Sequence, residues 1–292
     1  MSRSEIPHDV GHDTVFVVPV GPNCQTDFVV DTLESIRYFA PDARIVVVDD
    51  SRRVLGDELR ERYGLTVVGA RAHGLFGSLY LNLSDGFKEA LTEPFRILVR
   101  LDTDALIAGS DFESKAINCF ESDSHLGSLG SFRVGFNGNG FRNPQWAKRR
   151  ILRYLASDAW RKPRAGIEFA RLLTRARRQG YQLGEAIMGG AAIYRYEALV
   201  TLNEAGLLGR VDLAQTGLQE DHIFGLCLYS VGYHLGEFGN QFDDLPMGVA
   251  WRGLPAAPGE LLGLGKSIIH STKRFEEMDE QAIREEFRAA RR

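Results

Sequence analysis

The sequence predicts an α/β protein built on a doubly wound, mostly parallel sheet. Three observations carry that prediction. Short β-branched runs alternate with segments of helical period through the first third of the chain. Those runs are apolar throughout rather than alternating, the pattern of strands buried on both faces. Acidic residues gather where the runs stop, at Asp49-Asp50 and at Asp102-Thr103-Asp104. That edge, the carboxyl end of the strands, is where open α/β sheets bind ligands.

The elements follow in order. Thr14 to Val20 (TVFVVPV) reads as a buried strand stopped by Gly21-Pro22-Asn23. Thr26 to Phe39 has helical spacing, with Phe28, Val29, Leu33, Ile36 and Tyr38 apolar. Ala43 to Val48 is a second strand, Val54 to Tyr63 a charged helix, and Leu65 to Val68 a short third strand. Leu75 to Leu91 predicts a helix after Gly74, and Phe95 to Val99 a fourth strand. Beyond Asp104 the pattern loosens. Ser128 to Val134 and Met188 to Tyr194 are expected strands, the second with a glycine start. Trp146 to Gln179 is expected to be largely helical, Glu197 to Ala205 a short helix, and Asp221 to Val231 an apolar helix that opens on acids. Ile268-Ile269-His270 is a short apolar run, and Phe275 to Arg292 a terminal amphipathic helix. The expected organisation is one domain over 1–292. Its nucleotide-binding half spans 14–107, an acceptor-binding and catalytic half 108–273, and a closing helix 274–292.

Composition narrows the function classes. The 292 residues are 44% hydrophobic and 25% charged, the profile of a globular protein. A net charge of −4 gives no general case for nucleic acid. The three cysteines, Cys24, Cys119 and Cys227, are scattered and fit neither a zinc pattern nor a disulfide framework. The polar start, Met1 to Asp13, lacks the apolar core of a signal peptide, and no run approaches a spanning helix. A cytoplasmic protein, with room for peripheral membrane contact, is the expectation.

The chemistry centres on Asp102-Thr103-Asp104. Residues i and i+2 of a strand point to one side, so the two carboxylates can converge just past the strand end. Paired hard oxygen ligands suit Mg2+ or Mn2+, which complete their shells with substrate phosphates. The competing reading is a solvated turn in which an Asp caps the next element. Three further features stand in sequence with it: Pro19-Val20-Gly21 at the first strand end, Asp49-Asp50-Ser51 at the second, and Gln219-Glu220-Asp221-His222 opening a helix far downstream.

In that order these residues resemble the GT-A glycosyltransferases, particularly the family 2 type, from about Thr14 to Lys273. The resemblance implies a GT-A fold and assigns roles. Pro19 and Val20 would flank the base and ribose, and Asp49 or Asp50 would bond the base, uracil in a UDP-sugar donor. Asp102 would meet the ribose or sugar and join Asp104 at the metal, Mn2+ or Mg2+. Glu220-Asp221 would be the catalytic pair, with Asp221 the general base. His270 would be a metal ligand, Lys273 would face the diphosphate, and Gly189-Gly190 would border donor sugar and acceptor. The chain lacks the arginine-and-tryptophan motif of processive synthases after its Glu-Asp pair, which favours single transfer. Direct displacement, with the anomeric centre inverted, is the implied reaction. Bland roles compete: Asp49 and Asp50 as helix caps, Glu220-Asp221 as an ordinary acidic helix start, His270 as a structural residue.

Two other reactions share parts of this pattern. A nucleotidyltransferase on the same fold would need a basic, glycine-rich loop after the first strand, whereas Gly21 to Gln25 carries no basic residue. A phosphohydrolase of the haloacid-dehalogenase type would use Asp102 as nucleophile, but its acidic motif ends the first strand, and here three strands precede it.

Charge is unevenly placed. Lys148 to Arg178 holds eleven Lys or Arg and two acids, so the segment is +9 and the remainder −13. It reads as a solvated helical surface, as a dock for an anionic membrane bearing a lipid-linked acceptor, or as a contact for an anionic acceptor. Saccharide and small-molecule acceptors also fit; nucleic acid is the least favoured. Trp146, Tyr154 and Trp160 are interleaved with these charges. The Asn-Gly loop from Phe136 to Arg142 is a candidate acceptor lid. The apolar stripe Phe275, Met278, Ile283 and Phe287 is expected either to close the active site or to form a homodimer interface.

Overall fold

The computed structural model describes residues 12–51, 55–71, 77–133, 145–158, 163–239 and 244–291. Strand β1 (Thr14–Val20), helix α1 (Thr26–Phe39), β2 (Arg44–Asp49), α2 (Leu55–Tyr63), β3 (Leu65–Gly69), α3 (Ser78–Ala90) and β4 (Ile97–Leu101) form the expected alternation. Then come β5 (Ala105–Ile107), α4 (Phe112–Ser122), β6 (Leu126–Gly130), α5 (Gln145–Arg153), a π-helical turn (Tyr154–Asp158) and α6 (Pro163–Arg178). The rest is β7 (Ala191–Arg195), α7 (Tyr196–Glu204), α8 (Val211–Ala214), α9 (Glu220–Ser230), β8 (His234–Glu237), β9 (Met247–Val249), α10 (Pro258–Gly263), β10 (Ile268–His270), β11 (Arg274–Phe275), β12 (Met278–Asp279) and α11 (Glu280–Ala290).

The central sheet has seven strands in the order β3-β2-β1-β4-β7-β6-β8. Its first four strands are parallel; β7 runs antiparallel to both β4 and β6, and β8 is parallel to β6. Burial on both faces is visible residue by residue. Val15, Val17, Val46, Val48 and Leu98 point into one apolar core, with Tyr80, Leu83 and Phe87 of α3 and Phe224 of α9. Their neighbours Phe16, Val18, Ile45, Val47, Ile97 and Val99 point into the other, against Val29, Leu33 and Ile36 of α1 and Phe112 of α4. This is why the strands read as unbroken apolar runs. A small second sheet, β5-β10-β9, carries the chain after β4 and brings His270 beside Ala105.

Three expectations shift. The strand placed at 128–134 starts two residues earlier and ends at Gly130, and the glycines of 188–194 lie just before β7 rather than in it. The basic helix expected from Trp146 to Gln179 is not continuous: α5 passes into the π-helical turn, and α6 starts at Pro163. The terminal helix starts at Glu280, because a two-residue hairpin, β11-β12, occupies 274–279. Phe275 and Met278 sit on that hairpin. They pack with buried Ile283 and Phe287 against Leu106, Leu261 and Ile269, so the apolar stripe serves the chain's own core rather than a dimer interface. The Asn-Gly loop, Gly74 and Trp160 lie outside the described residues. No described helix is long and apolar enough to cross a membrane.

Candidate functional site

Strand β4 delivers the acidic loop. Arg100 is buried inside an otherwise apolar strand, two residues before Asp102. Its guanidinium forks onto Asp102, Nε to Oδ1 at 3.1 Å and Nη2 to Oδ2 at 3.2 Å, while Nη2 also reaches Glu220 Oε1 at 2.9 Å. A buried cation needs such partners. Arg100 thus ties the β4 end to the start of α9, and Asp102 N–H donates to the Gly190 carbonyl at 2.8 Å. Burial disfavours the guanidinium's charge, but the two carboxylates prevail and raise its pKa above the ordinary value. Glu220 goes up as well: its burial and the neighbouring Asp221 outweigh the pull of Arg100.

Asp104 lies past the turn, at the mouth of the small sheet. Its Oδ2 accepts from Ser271 Oγ at 2.8 Å and from Lys273 Nζ at 3.1 Å, with His270 Nε2 3.5 Å away. Its backbone carbonyl accepts from Thr272 N–H and Oγ1. Burial would raise its pKa, but His270, Lys273 and the Ser271 hydroxyl together hold it well below the carboxylate range. The carboxylates of Asp102 and Asp104 and the His270 imidazole have ligand atoms within 4.8 Å of one another. Two carboxylates and one imidazole this close together are a donor set that can hold Mn2+ or Mg2+.

The two glycines before β7 line the floor between this cluster and α9. Gly190 has φ of 100°, and a Cβ there would stand 2.3 Å from His270 Nε2. Only glycine allows both the backbone and the imidazole at that point. At Gly189 a Cβ would meet Glu220 Oε1 at 3.5 Å and Asp221 Oδ2 at 3.9 Å. Asp221 is nearly buried in the first turn of α9, and its Oδ1 accepts the His222 N–H at 2.8 Å. The acids therefore form two groups, the metal-type cluster and the Glu220-Asp221 pair, on either side of Gly189-Gly190.

A cleft of about 320 Å3 opens beside the cluster, lined by Gly21 to Gln25, Phe28, Thr103, Asp104, Lys273 and Glu280. The structure thus brings together Asp102, Asp104, Gly189, Gly190, Glu220, Asp221, His270 and Lys273. Pro19, Val20, Asp49 and Asp50 stand at the same sheet edge, at the ends of the neighbouring strands β1 and β2, but outside this lining. Asp49 Oδ1 accepts the Ser51 N–H at 2.8 Å, as a turn-capping aspartate does.

Two buried arginines were not assigned roles from the sequence. Arg100 could have been suspected as a lone cation in an apolar strand, on the same face as Asp102. Arg284, fully buried in α11, donates to the Thr103 carbonyl at 2.6 Å, to Asp31 Oδ2 at 2.9 Å and to Glu280 at 2.9 Å. Nothing in its amphipathic segment marks it.

No protein-family model matches the sequence, and no curated protein does. Solved structures do resemble it distantly. A mannosyltransferase from Pyrobaculum calidifontis, in complex with GDP-Man and Mn2+, is 16% identical, with a TM-score of 0.43 over 77% of this chain and 54% of its own. A glycosyltransferase involved in glycosylation of the major capsid of PBCV-1 is 9% identical, with a TM-score of 0.46 over 94% of this chain and 98% of its own. A cytidylyltransferase from Leptospira borgpetersenii is 10% identical, with a TM-score of 0.43 over 96% and 93%. The chain spans about half the length of the first of these, 54%.

Proposed function

We propose that this chain is a metal-dependent glycosyltransferase that moves one sugar from a nucleotide sugar, a UDP-sugar foremost, to an acceptor hydroxyl with inversion. The observation that carries the reading is the pairing of two acid groups across Gly189-Gly190: Asp102, Asp104 and His270 on one side, Asp221 on the other. A divalent cation held by Asp102, Asp104 and His270 would neutralise charge on the departing diphosphate. Lys273, exposed at the cleft and already within 3.1 Å of Asp104, adds a second positive charge there. Arg100 holds Asp102 and Glu220 together, joining the end of β4 to the start of α9. Asp221 takes the proton of the attacking hydroxyl through Oδ2, while its Oδ1 is held by the His222 N–H. The start of α9 favours the carboxylate form of that base. Pro19, Val20 and Asp49 or Asp50 supply the base end of the donor site from the ends of β1 and β2.

Two observations weigh against the other reactions. Both oxygens of Asp102 accept from Arg100, which blunts it as a phosphohydrolase nucleophile. The cleft loop 21–25 lacks the cations that hold a triphosphate in a nucleotidyltransferase. Product analysis tests the proposal. The protein is incubated with UDP-, GDP- and CDP-sugars, Mn2+ and a mixed acceptor extract, and the released phosphates are separated. Free nucleoside diphosphate that disappears in Asp221→Asn supports it; pyrophosphate or inorganic phosphate as the product of the wild type rejects it.

A further inference from the structure

The basic segment contributes a structured groove. Helix α5 lies beside the loop that leads into α9, and the two enclose an open groove of about 600 Å3 lined by Trp146, Arg149, Arg150, Arg153 and Gly217. Three arginines line one space, and none of its lining residues is acidic among the described residues. Arg150 is built in: its Nε donates to the Thr216 carbonyl at 2.7 Å, and only the missing side chain of Gly217 (φ 73°) makes room for its Nη2. Arg149 and Arg153 are exposed, and no carboxylate pairs with either among the described residues. The groove is also adjacent to the proposed base. The Trp146 ring meets the His222 ring edge-on at 4.9 Å, and His222 Nε2 lies 3.8 Å from Asp221 Oδ1. One imidazole therefore touches both the aromatic wall of the groove and the carboxylate. Trp146, 43% exposed, offers a flat apolar face of the kind on which a sugar ring stacks.

We infer that this groove is the acceptor's anchoring subsite and that the acceptor carries a phosphate ester. The inference rests on the transferase reading, because it takes Asp221 as the base. Guanidinium forks match phosphate oxygens in bidentate geometry. Arg149 and Arg153 hold the phosphate, Trp146 covers the sugar or polyol, and the acceptor hydroxyl is presented past His222 to Asp221. A site this charged binds in a salt-dependent way. A membrane dock is the less favoured use of the same charges, since they converge on a concave groove beside the base.

The test measures binding of glucose 6-phosphate, of glucose and of vesicles with and without phosphatidylglycerol. The proteins are wild type, Arg149→Ala/Arg153→Ala, the Lys/Lys double variant and Trp146→Ala, and UDP–Mn2+ binding is read on the same samples. The exposed arginines can be removed without unfolding the chain, which the unchanged UDP–Mn2+ affinity verifies. The expected result is glucose 6-phosphate binding that falls with salt, no binding of glucose, and a loss of about tenfold or more in the double alanine variant, partly recovered with lysine. Equal binding of both sugars, or of wild type and double alanine variant, overturns the subsite while UDP–Mn2+ binding keeps the transferase reading intact. Loss confined to phosphatidylglycerol vesicles also overturns it, and assigns the arginines to a lipid surface. Absent UDP–Mn2+ binding in the wild type identifies failure of the transferase reading itself.

Discussion

At the scale of single residues, Arg100 and Asp104 divide the electrostatics of the site. Arg100 is buried with two carboxylates, and removing one partner of such a cluster leaves uncompensated charge. Arg100→Leu is expected to cost about 3–5 kcal/mol in urea unfolding, far more than a surface Arg→Leu change. An effect within the surface range would mean that Asp102 and Glu220 are held by something else. Asp104 acts in the opposite direction. Its folded pKa is depressed, so its ionised form stabilises the native state above the unfolded value of about 4, and that contribution is lost as pH falls toward the folded value. The stability gap between wild type and Asp104→Asn should be full at neutral pH and close in acid; a gap that grows in acid contradicts the sign. The acids were legible from sequence because they interrupt apolar runs at strand ends. Arg100 was less so, because a cation inside a strand shows its role only once Glu220, far downstream, is brought beside it.

At the scale of elements, α11 clamps the acidic loop. Asp31 on α1 receives Arg284 and Arg288 from that helix and Arg291 from just past its end, and Arg284 continues to the Thr103 carbonyl between the two loop aspartates. Arg284→Met should therefore weaken Mn2+ binding several-fold at temperatures where the variant is folded. Ile283→Ala is destabilised by a cavity on the same helix and should leave Mn2+ affinity unchanged. Equal effects in both variants would reduce the clamp to general stability. The sequence misplaced the start of this helix for a specific reason. The hairpin before it turns at Glu276, which has φ of 49°, and glutamate gives no signal for the left-handed conformation that glycine or asparagine would announce. Strands β1, β2 and β4 were legible because burial on both faces leaves a continuous apolar imprint, and the half-exposed edge strand β3 because its β-branched residues stand out between turns. The antiparallel β7 and the run of β10 were also legible as apolar segments, whereas the three-residue β5 and β9 leave little imprint, since three residues carry too few periods.

At the scale of the whole molecule, the sheet order brings four distant segments to one edge. The loop after β4, the glycines before β7, the start of α9 and the end of β10 meet there, and α5 adds an arginine-lined groove to the α9 side. No local pattern links 102 to 190, 221 or 270, so their convergence came from the resemblance and not from periodicity. The central claim is that Asp102, Asp104 and His270 hold a divalent cation that in turn recruits a nucleoside diphosphate. The most direct measurement is Mn2+ binding by electron paramagnetic resonance, with and without UDP, in wild type, Asp104→Ala and His270→Ala. One bound Mn2+ per chain is expected, tightened by UDP and lost in Asp104→Ala, with His270→Ala weakened. Mn2+ binding that is absent from the wild type, or unchanged in Asp104→Ala and indifferent to UDP, would contradict it.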